Sequence, residues 1–254
     1  MSRPPAVRLD RLLANLGYGS RREVHALVRD RAIVLDGQAV SDAGARISLT
    51  PDLPERMTVK GAPLDPPAPL VLMMHKPEGV VCSHREPGRS VYELLPSRWR
   101  SRTPSLSSIG RLDRDTTGLL LITDDGAFLH RVISPRSHAP KRYIATLRDP
   151  LRGDEAEIFG RGDLMLDGEE RPLAPAQLEV LGPCLAQLTV TEGRYHQVRR
   201  MFSAVGNQVL GLHRDRIGAL DLPADLPPGA WRRLGPADCA AVLSGDGEGS
   251  PAPA

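Results

Sequence analysis

The chain has few of the residues that build covalent or metal-based frameworks. Its 254 residues include only Cys82, Cys184 and Cys239, too few and too scattered for a disulfide framework. It contains no Cys-x-x-Cys pair and no His-Glu-x-x-His sequence, so we expect no metal. No apolar run approaches the roughly 20 residues of a membrane span. These absences predict a globular protein that binds neither a metal ion nor a membrane.

The first ten residues also lack a targeting signal. MSRPPAVRLD contains no apolar stretch that could form the core of a signal peptide. We therefore expect the protein to act in the cytoplasm, and without evidence for self-association we expect a monomer.

Arginine is unevenly distributed, although the net charge is small. The formal net charge is +2, yet residues 1–31 hold seven arginines against three carboxylates, and residues 194–216 hold five against one. Two basic segments are typical of a protein that contacts a polyanion at two places. The alternative is that arginine is simply the cation of a solvated surface, since only Lys60, Lys76 and Lys141 are lysines.

Proline marks a boundary between two domains. Residues 61–69, GAPLDPPAP, contain four prolines and cannot continue a helix or an interior strand. We predict an N-terminal module over residues 1–60, a linker over 61–69 and a larger domain over 70–243. Residues 244–254, SGDGEGSPAPA, have no large apolar side chain, and we expect a disordered tail there.

The N-terminal module has the pattern helix, helix, hairpin. Ser20 and Glu23 form a capping-box signature at the start of the second helix. Asp36-Gly37 between apolar flanks predicts a two-residue hairpin turn. The first helix is predicted by leucines at helical spacing that stop at Gly17, namely Leu9, Leu12, Leu13 and Leu16.

The second predicted helix begins where an anion would bind. Arg21 and Arg22 lie in its first turn, where free backbone N–H groups and the helix dipole favour phosphate. The sequence RLDRLLANLGYGSRREVHALVRDRAIVLDGQAV, residues 8–40, resembles the S-four-type RNA-binding module found fused to RNA-modifying enzymes. The resemblance implies that Arg8, Arg11, Arg21 and Arg22 bind the RNA backbone.

A carboxylate precedes a strong strand pattern in the larger domain. The polar loop IGRLDRDTTG, residues 109–118, leads into Leu119–Ile122, an apolar run short enough for a central strand. Asp113 is therefore placed at the mouth of a strand, where neighbouring arginines favour its ionised form. The alternative is that Asp113 or Asp115 only caps a turn.

Two further segments carry candidate functional side chains. Residues 141–147, KRYIATL, alternate as a strand that places Tyr143 either on a nucleic-acid base or in the core. In the helix predicted near Val198, Arg199 lies at the edge of the apolar face and Arg200 points outward. An edge arginine can reach into a cleft, or its stem can cover the core while its head stays in water.

In their order, the segments GRLDRDTTGLLLITDDG, KRY, EGRYHQVRRMF and LHRDRIG are similar to the RsuA-type pseudouridine synthases, across nearly all of residues 8–235. The resemblance implies an enzyme that detaches uracil from its ribose within RNA, rotates it and rejoins it through carbon, without cofactor or metal. It implies Asp113 as the catalytic aspartate, Tyr143 as the ring that stacks on the extruded base, and Arg199 as the basic partner of Asp113. Whether Asp113 attacks the sugar or takes a proton from it stays open.

The same resemblance implies roles for three other residues. Arg111 would hold the RNA or fill the space that the base vacates, Leu212 would close the pocket, and Arg200 would contact RNA. It also implies an α+β fold with a small helix-helix-hairpin module and one mixed, mainly antiparallel sheet flanked by helices.

The substrate is predicted less directly than the reaction. Residues 195–197, Tyr-His-Gln, are similar to the branch that modifies 16S ribosomal RNA. The alternatives are the same chemistry on 23S RNA and a catalytically silent ribosome-assembly factor that only binds RNA. The loop over residues 97–108 is expected to be a solvated insertion, or else to add contacts to the RNA backbone.

Overall fold

The structure is a computed structural model that describes residues 4–83, 86–134 and 139–244. The chain divides into two compact units, the first made of residues up to 70 together with 95–107, and the second of the remainder. Apart from Ser244, the tail predicted to be disordered lies outside the described residues. No helix in the described ranges is long and apolar enough to cross a membrane.

The first unit is built from short elements. They are β1 (Ala6–Arg8), α1 (Leu9–Asn15), α2 (Arg21–Arg29), β2 (Ile33–Leu35), β3 (Gln38–Ala39), β4 (Arg46–Ser48), α3 (Leu53–Arg56), β5 (Met57–Val59) and β6 (Ala62–Pro63). Strands β3, β2, β5 and β6 form an antiparallel sheet in that order, and β1 pairs with β4.

Local signals explain the helix-helix-hairpin arrangement. The Ser20 hydroxyl accepts a hydrogen bond from the Glu23 N–H, and the Glu23 carboxylate accepts one from the Ser20 N–H, which begins α2. Asp36 and Gly37 both have positive φ, as the tight turn between β2 and β3 requires. The predicted hairpin and capping box are therefore confirmed.

Residues 95–107 belong to the first unit although the second unit surrounds them in sequence. The Arg98 guanidinium lies 4.2 Å from the centre of the Tyr18 ring and is paired with Asp65 at 2.7 Å. The Thr103 N–H donates to the Asn15 carbonyl at 2.8 Å, and Trp99 is buried. The expectation of a solvated insertion is therefore wrong, because these long-range contacts cannot be read from a polar local sequence.

The proline-rich segment is packed as well. Ala62–Pro63 pairs with β5 as an edge strand, a position that tolerates proline. Leu64 is buried in the core of the first unit, and Asp65 binds Arg98. In the structure the first unit thus extends through these residues to about residue 70.

The second unit contains the larger sheet. Its elements are β7 (Val71–Lys76), β8 (Ser107–Ile109), β9 (Thr116–Thr123), α4 (Gly126–Ile133), β10 (Lys141–Leu147), α5 (Glu155–Gly160), β11 (Gln177–Gly182), β12 (Leu185–Val190), α6 (Gln197–Ala204), β13 (Val209–Ile217), β14 (Leu220–Asp221), β15 (Trp231–Arg233) and α7 (Pro236–Leu243). Short 3-10 turns lie at Val91–Leu94 and Ser97–Ser101, the latter in the first unit.

The strand order explains why distant motifs meet. The main path is β11-β12-β10-β13-β9-β7-β15, with β14 on β13 and β8 on β9. Strands β9 and β13 run parallel, and the other neighbours along the main path are antiparallel. The predicted mixed, mainly antiparallel sheet is confirmed. It places β9, which follows Asp113, two strands from β10, which carries Tyr143.

Gly118 permits the parallel pairing of β9 with β13. Its φ is +106°, and a Cβ at this position would lie 2.1 Å from the carbonyl oxygen of Arg214 and 2.7 Å from its nitrogen. Only glycine combines this backbone conformation with so close an approach. The glycine of the Thr-Thr-Gly sequence therefore sets the position of β13.

We expect Gly118→Ala to lower the free energy of unfolding by about 3 kcal/mol, because it adds backbone strain and a collision with β13. The control is Gly153→Ala. Gly153 has a φ of +104°, but nothing lies within 4 Å of its would-be Cβ, so it should lose only about 1 kcal/mol from strain. Urea unfolding of both variants is the measurement, and equal losses would contradict the proposed collision.

Candidate active site

Asp113 lies in the turn between β8 and β9, and hydrogen bonds hold the backbone of this turn. The Asp113 carbonyl accepts a hydrogen bond from the Thr116 N–H at 3.1 Å. The Arg114 carbonyl accepts one from the Gly79 N–H at 2.8 Å. The carboxylate is 28% exposed, so it faces neither bulk solvent nor a closed core.

A buried lysine holds the same turn. The Lys76 ammonium has no solvent exposure and donates to the carbonyls of Pro77, Arg114 and Thr116 at 3.1, 3.3 and 2.8 Å. Burial lowers the pKa of Lys76, opposed by nearby acids that include Asp113. Sequence reasoning missed Lys76, since Lys-Pro-Glu-Gly indicates only a turn.

Helix α6 brings the basic partner to Asp113. Val198, Met201 and Phe202 are buried on its inner side, which leaves Arg199 at the edge of the packed face as predicted. Arg199 Nε lies 3.8 Å from Asp113 Oδ2, and Nη2 lies 2.9 Å from Asp115 Oδ2. The two predicted partners are therefore neighbours.

The Arg199 guanidinium is incompletely bonded. Its Nη1 donates to the Val209 carbonyl at 3.0 Å. Its Nε and Nη2 are buried and make no contact of hydrogen-bond geometry with described residues, even though Nη2 is close to Asp115. The Arg199 guanidinium therefore has donors available for a further contact.

His196 is a second partner of Asp113 that sequence reasoning did not assign. Its Nε2 lies 3.2 Å from Asp113 Oδ1, and its φ of +49° turns the chain into α6. The ring stacks on Tyr195 with centroids 3.9 Å apart, and Tyr195 is 73% exposed. The available signal was Tyr-His directly before the helix, although a left-handed histidine cannot be recognised from sequence.

Two candidate side chains, Tyr143 and Leu212, share one face of the sheet with Arg214. Tyr143 lies opposite Arg214 on β13, and Leu212, two residues before Arg214, lies opposite Ala145. Leu212 also pairs with Thr116, three residues after Asp113. The Arg214 Nη1 donates to the Tyr143 hydroxyl at 3.3 Å. Arg214 was not singled out from sequence, because an arginine inside a strand usually indicates an exposed face.

The other predicted RNA contacts fall into two groups. Arg11 and Arg22 are exposed, and no carboxylate of the described residues binds their guanidinium groups. Arg8 and Arg21, in contrast, both bind the buried carboxylate of Asp10, at 3.0 and 2.6 Å, and lower its pKa.

In the second unit, two predicted RNA contacts are paired with acids. Arg111 forms an ion pair with Glu86 while remaining mostly exposed. Arg200 is paired with Glu169 at 2.7 Å and also donates to the carbonyls of Tyr195 and Asp167. Arg200 thus has its charge and donors satisfied within the protein.

The fold and the site define a class of RNA-modifying isomerase. Residues 70–204 match the RNA pseudouridylate synthase family, and residues 7–50 match the S4 domain. The chain belongs to the RNA pseudouridylate synthase family. The resemblance that the motifs indicated is confirmed.

Individual relatives cover almost the whole chain. It is 42% identical to ribosomal small subunit pseudouridine synthase A of Escherichia coli (strain K12), over 93% of this chain and 100% of that protein. It is 44% identical to the protein of the same description from Yersinia pestis, over 93% of this chain and 98% of the relative. A crystal structure of a pseudouridylate synthase matches with a TM-score of 0.65 and 35% identity, covering 93% of this chain and 99% of the other.

Burial and the positive charge of Arg214 lower the pKa of Lys141 to about 8. Its ordinary value in an unfolded chain is about 10.4, so between these values the unfolded chain binds the proton that the folded protein has lost. The free energy of unfolding should therefore rise with pH from about 8 to 10.4, by about 1 to 2 kcal/mol after allowance for partial exposure.

Comparison of the wild type with Lys141→Met by urea unfolding at intervals over this pH range measures that contribution. We expect the variant to lack part of the rise. Lys60→Met serves as the control, because it removes a lysine that is exposed. Parallel pH curves for the wild type and Lys141→Met would contradict the lowered pKa.

Proposed function

We propose that this protein converts a uridine of 16S ribosomal RNA to pseudouridine, without a cofactor. The observation that carries the proposal is the Asp113 carboxylate in the turn before the central strand β9, 3.8 Å from Arg199 and 3.2 Å from His196. The small-subunit descriptions of relatives that match over 93% of this chain support 16S rather than 23S RNA as the substrate. They equally favour an enzyme over a silent assembly factor.

Asp113 is proposed to act on the ribose. Breaking the bond between C1′ and the base builds positive charge on the sugar, which an ionised carboxylate stabilises or attacks. If Asp113 instead takes the C2′ proton, it must also be ionised beforehand. Arg199 and His196 lie beside the Asp113 carboxylate oxygens, and Lys76 fixes the turn, so both routes use the observed arrangement.

The target base must leave its stack to reach Asp113. Unstacking costs a few kcal/mol, and stacking on an aromatic ring returns part of it. We propose Tyr143 as that ring and Leu212 as the apolar wall beside it, since they lie on neighbouring strands of one sheet face. Arg111 is exposed enough to exchange Glu86 for an RNA phosphate.

The S4 domain is proposed to hold the RNA backbone. Arg11 and Arg22 supply charges that no described carboxylate neutralises, whereas Arg8 and Arg21 fix Asp10 between the two helices and contribute mainly to structure. Arg200, held by Glu169, is proposed as structural too. We further propose that the enzyme acts as a monomer in the cytoplasm, which sedimentation of the free protein and cell fractionation can test.

Asp113→Asn should abolish pseudouridine formation, by at least about 1,000-fold, because the amide carries no charge to stabilise or attack the sugar. The measurement is pseudouridine mapping in 16S transcripts and in small-subunit precursor particles incubated with purified protein. RNA affinity should be preserved within about twofold, since Asp113 contributes no attraction to phosphate.

Asp115→Asn is the matched control, with the same charge change two residues away. Asp115 is 59% exposed, so its loss should reduce activity by less than about tenfold. Normal turnover by Asp113→Asn would overturn the proposed chemistry. Product in 23S RNA alone would overturn the proposed substrate, and no product with wild-type protein in any ribosomal RNA would favour the silent factor.

Replacing Arg11 and Arg22 together by Gln should make the slope of log affinity against log salt less steep by about 1.5 to 2. Each arginine that neutralises a phosphate releases counterions from the RNA, and the double variant would lack two such contacts. Point substitutions are preferable to deleting residues 1–60, since residues 95–107 pack against that region. Arg56→Gln is the control, because Arg56 is already paired with Asp36. An unchanged slope in the double variant would show that these arginines do not contact phosphate.

A further inference from the structure

A buried positive charge lies beside Tyr143. Arg214 is 4% exposed and donates through Nε to the Leu119 carbonyl at 2.8 Å and through Nη1 to the Tyr143 hydroxyl at 3.3 Å. Its Nη2 is buried and has no hydrogen-bond partner among the described residues. Within the described ranges no carboxylate lies within ion-pair distance of the guanidinium.

A second cation lies on the same strand face. Lys141 is two residues before Tyr143 on β10, so both side chains leave the sheet on the same side. The Lys141 ammonium is partly exposed, and no hydrogen bond or ion pair to the rest of the described chain holds it. Burial and Arg214 lower its pKa, which is the response of a cation placed near another cation without a compensating anion.

Two other cations on the same two strands have carboxylate partners. Arg142 is paired with Asp215 at 2.8 Å, and Arg216 with Asp221 at 2.6 Å. Asp215 is the extra residue of a bulge between β10 and β13, where Arg142 pairs with Arg216 but Tyr143 pairs with Arg214. Arg142 and Arg216 are thus paired with acids, whereas no carboxylate of the described residues pairs with Arg214 or Lys141.

Burying an unpaired charge is costly, so the arrangement suits an anion that arrives with the substrate. We propose that Arg214 and Lys141 stabilise the negative charge that uracil carries once it is detached from its ribose. This inference rests on the proposed function. When the C1′–N1 bond breaks, its electron pair stays on the base and spreads from N1 to O2 and O4, whether Asp113 attacks C1′ or removes the C2′ proton.

The register favours the base over the phosphate as the anion. Leu212 pairs with Thr116, close to Asp113, whereas Arg214 pairs with Gly118, two residues further along β9. The positive charge of Arg214 therefore lies further along the sheet from Asp113, the carboxylate that we assign to the sugar, than Leu212 does. Lys141 can touch the base edge. Arg214, covered by its neighbours, acts as a fixed charge in a site of low dielectric.

The experiment compares uridine with 5-fluorouridine at the target position of the RNA. Fluorine withdraws electrons and stabilises the detached base as an anion, so the reaction should depend less on protein cations. For Lys141→Met and Arg214→Met we expect the single-turnover loss of the target nucleotide to slow about 100-fold with uridine and less than about 10-fold with 5-fluorouridine. Nuclease digestion and mass spectrometry of the RNA measure the loss.

Arg216→Met is the matched control, because it removes a paired cation two residues from Arg214; both substrates should react within about twofold of wild-type rates. Arg214→Lys should recover part of the uridine rate. Should Arg214→Met unfold, Lys141→Met carries the comparison alone.

Equal slowing with both substrates would overturn the proposal. Weaker RNA binding with unchanged single-turnover rates at saturation would also overturn it and identify a phosphate contact. Wild-type protein that consumes neither nucleotide would refute the proposed function itself, an outcome distinct from wild-type activity with equal losses in the variants.

Discussion

The candidate site depends on holding one carboxylate, that of Asp113, at a fixed place in the turn before β9. Asp113 has no regular secondary structure of its own, so its position comes from groups elsewhere in the chain. Lys76 binds backbone carbonyls after Asp113 on the turn, and α6 brings His196 and Arg199 to its two oxygens. Four hydrogen-bonded or charged contacts thus replace the rigidity that a strand or helix would give.

The local sequence predicts the helices, strands and turns well, but it does not predict which of them contact one another. The capping box of Ser20 and Glu23 and the positive φ of Gly37 follow from a few adjacent residues, because turn and cap chemistry is local. Residues 95–107 join the first unit through Tyr18, Asn15 and Asp65, which are 30 or more residues away, so no local pattern indicates it. Even the proline-rich segment, a linker by composition, is packed by such contacts.

The same distinction applies to the site. Asp113, Tyr143 and Arg199 could be singled out from the sequence because each lies in a distinctive motif. The position of Arg199 at the edge of the helix face follows from the spacing of its apolar neighbours. Lys76 and Arg214 could not be singled out, because what distinguishes them is their surroundings. Lys76 binds three backbone carbonyls, and Arg214 has a buried nitrogen with no hydrogen-bond partner among the described residues. A residue type alone does not reveal whether its charge is compensated.

Ion pairing also distinguishes the arginines that hold the fold from Arg214. Arg8, Arg21 and Arg200 have carboxylates within 3.0 Å, and replacing one of them would take a partner from a buried or partly buried acid. Arg199, although 2.9 Å from Asp115, and Arg214 each have buried donors without hydrogen-bond partners among the described residues, and such donors lower stability. A buried donor without a partner persists only where the surrounding structure fixes its position. For Arg214, the close approach at Gly118 fixes the backbone against β9. The glycine of the motif and the buried arginine are therefore two parts of one arrangement, because the close approach of β13 that Gly118 permits also positions the charge that we propose stabilises the departing base.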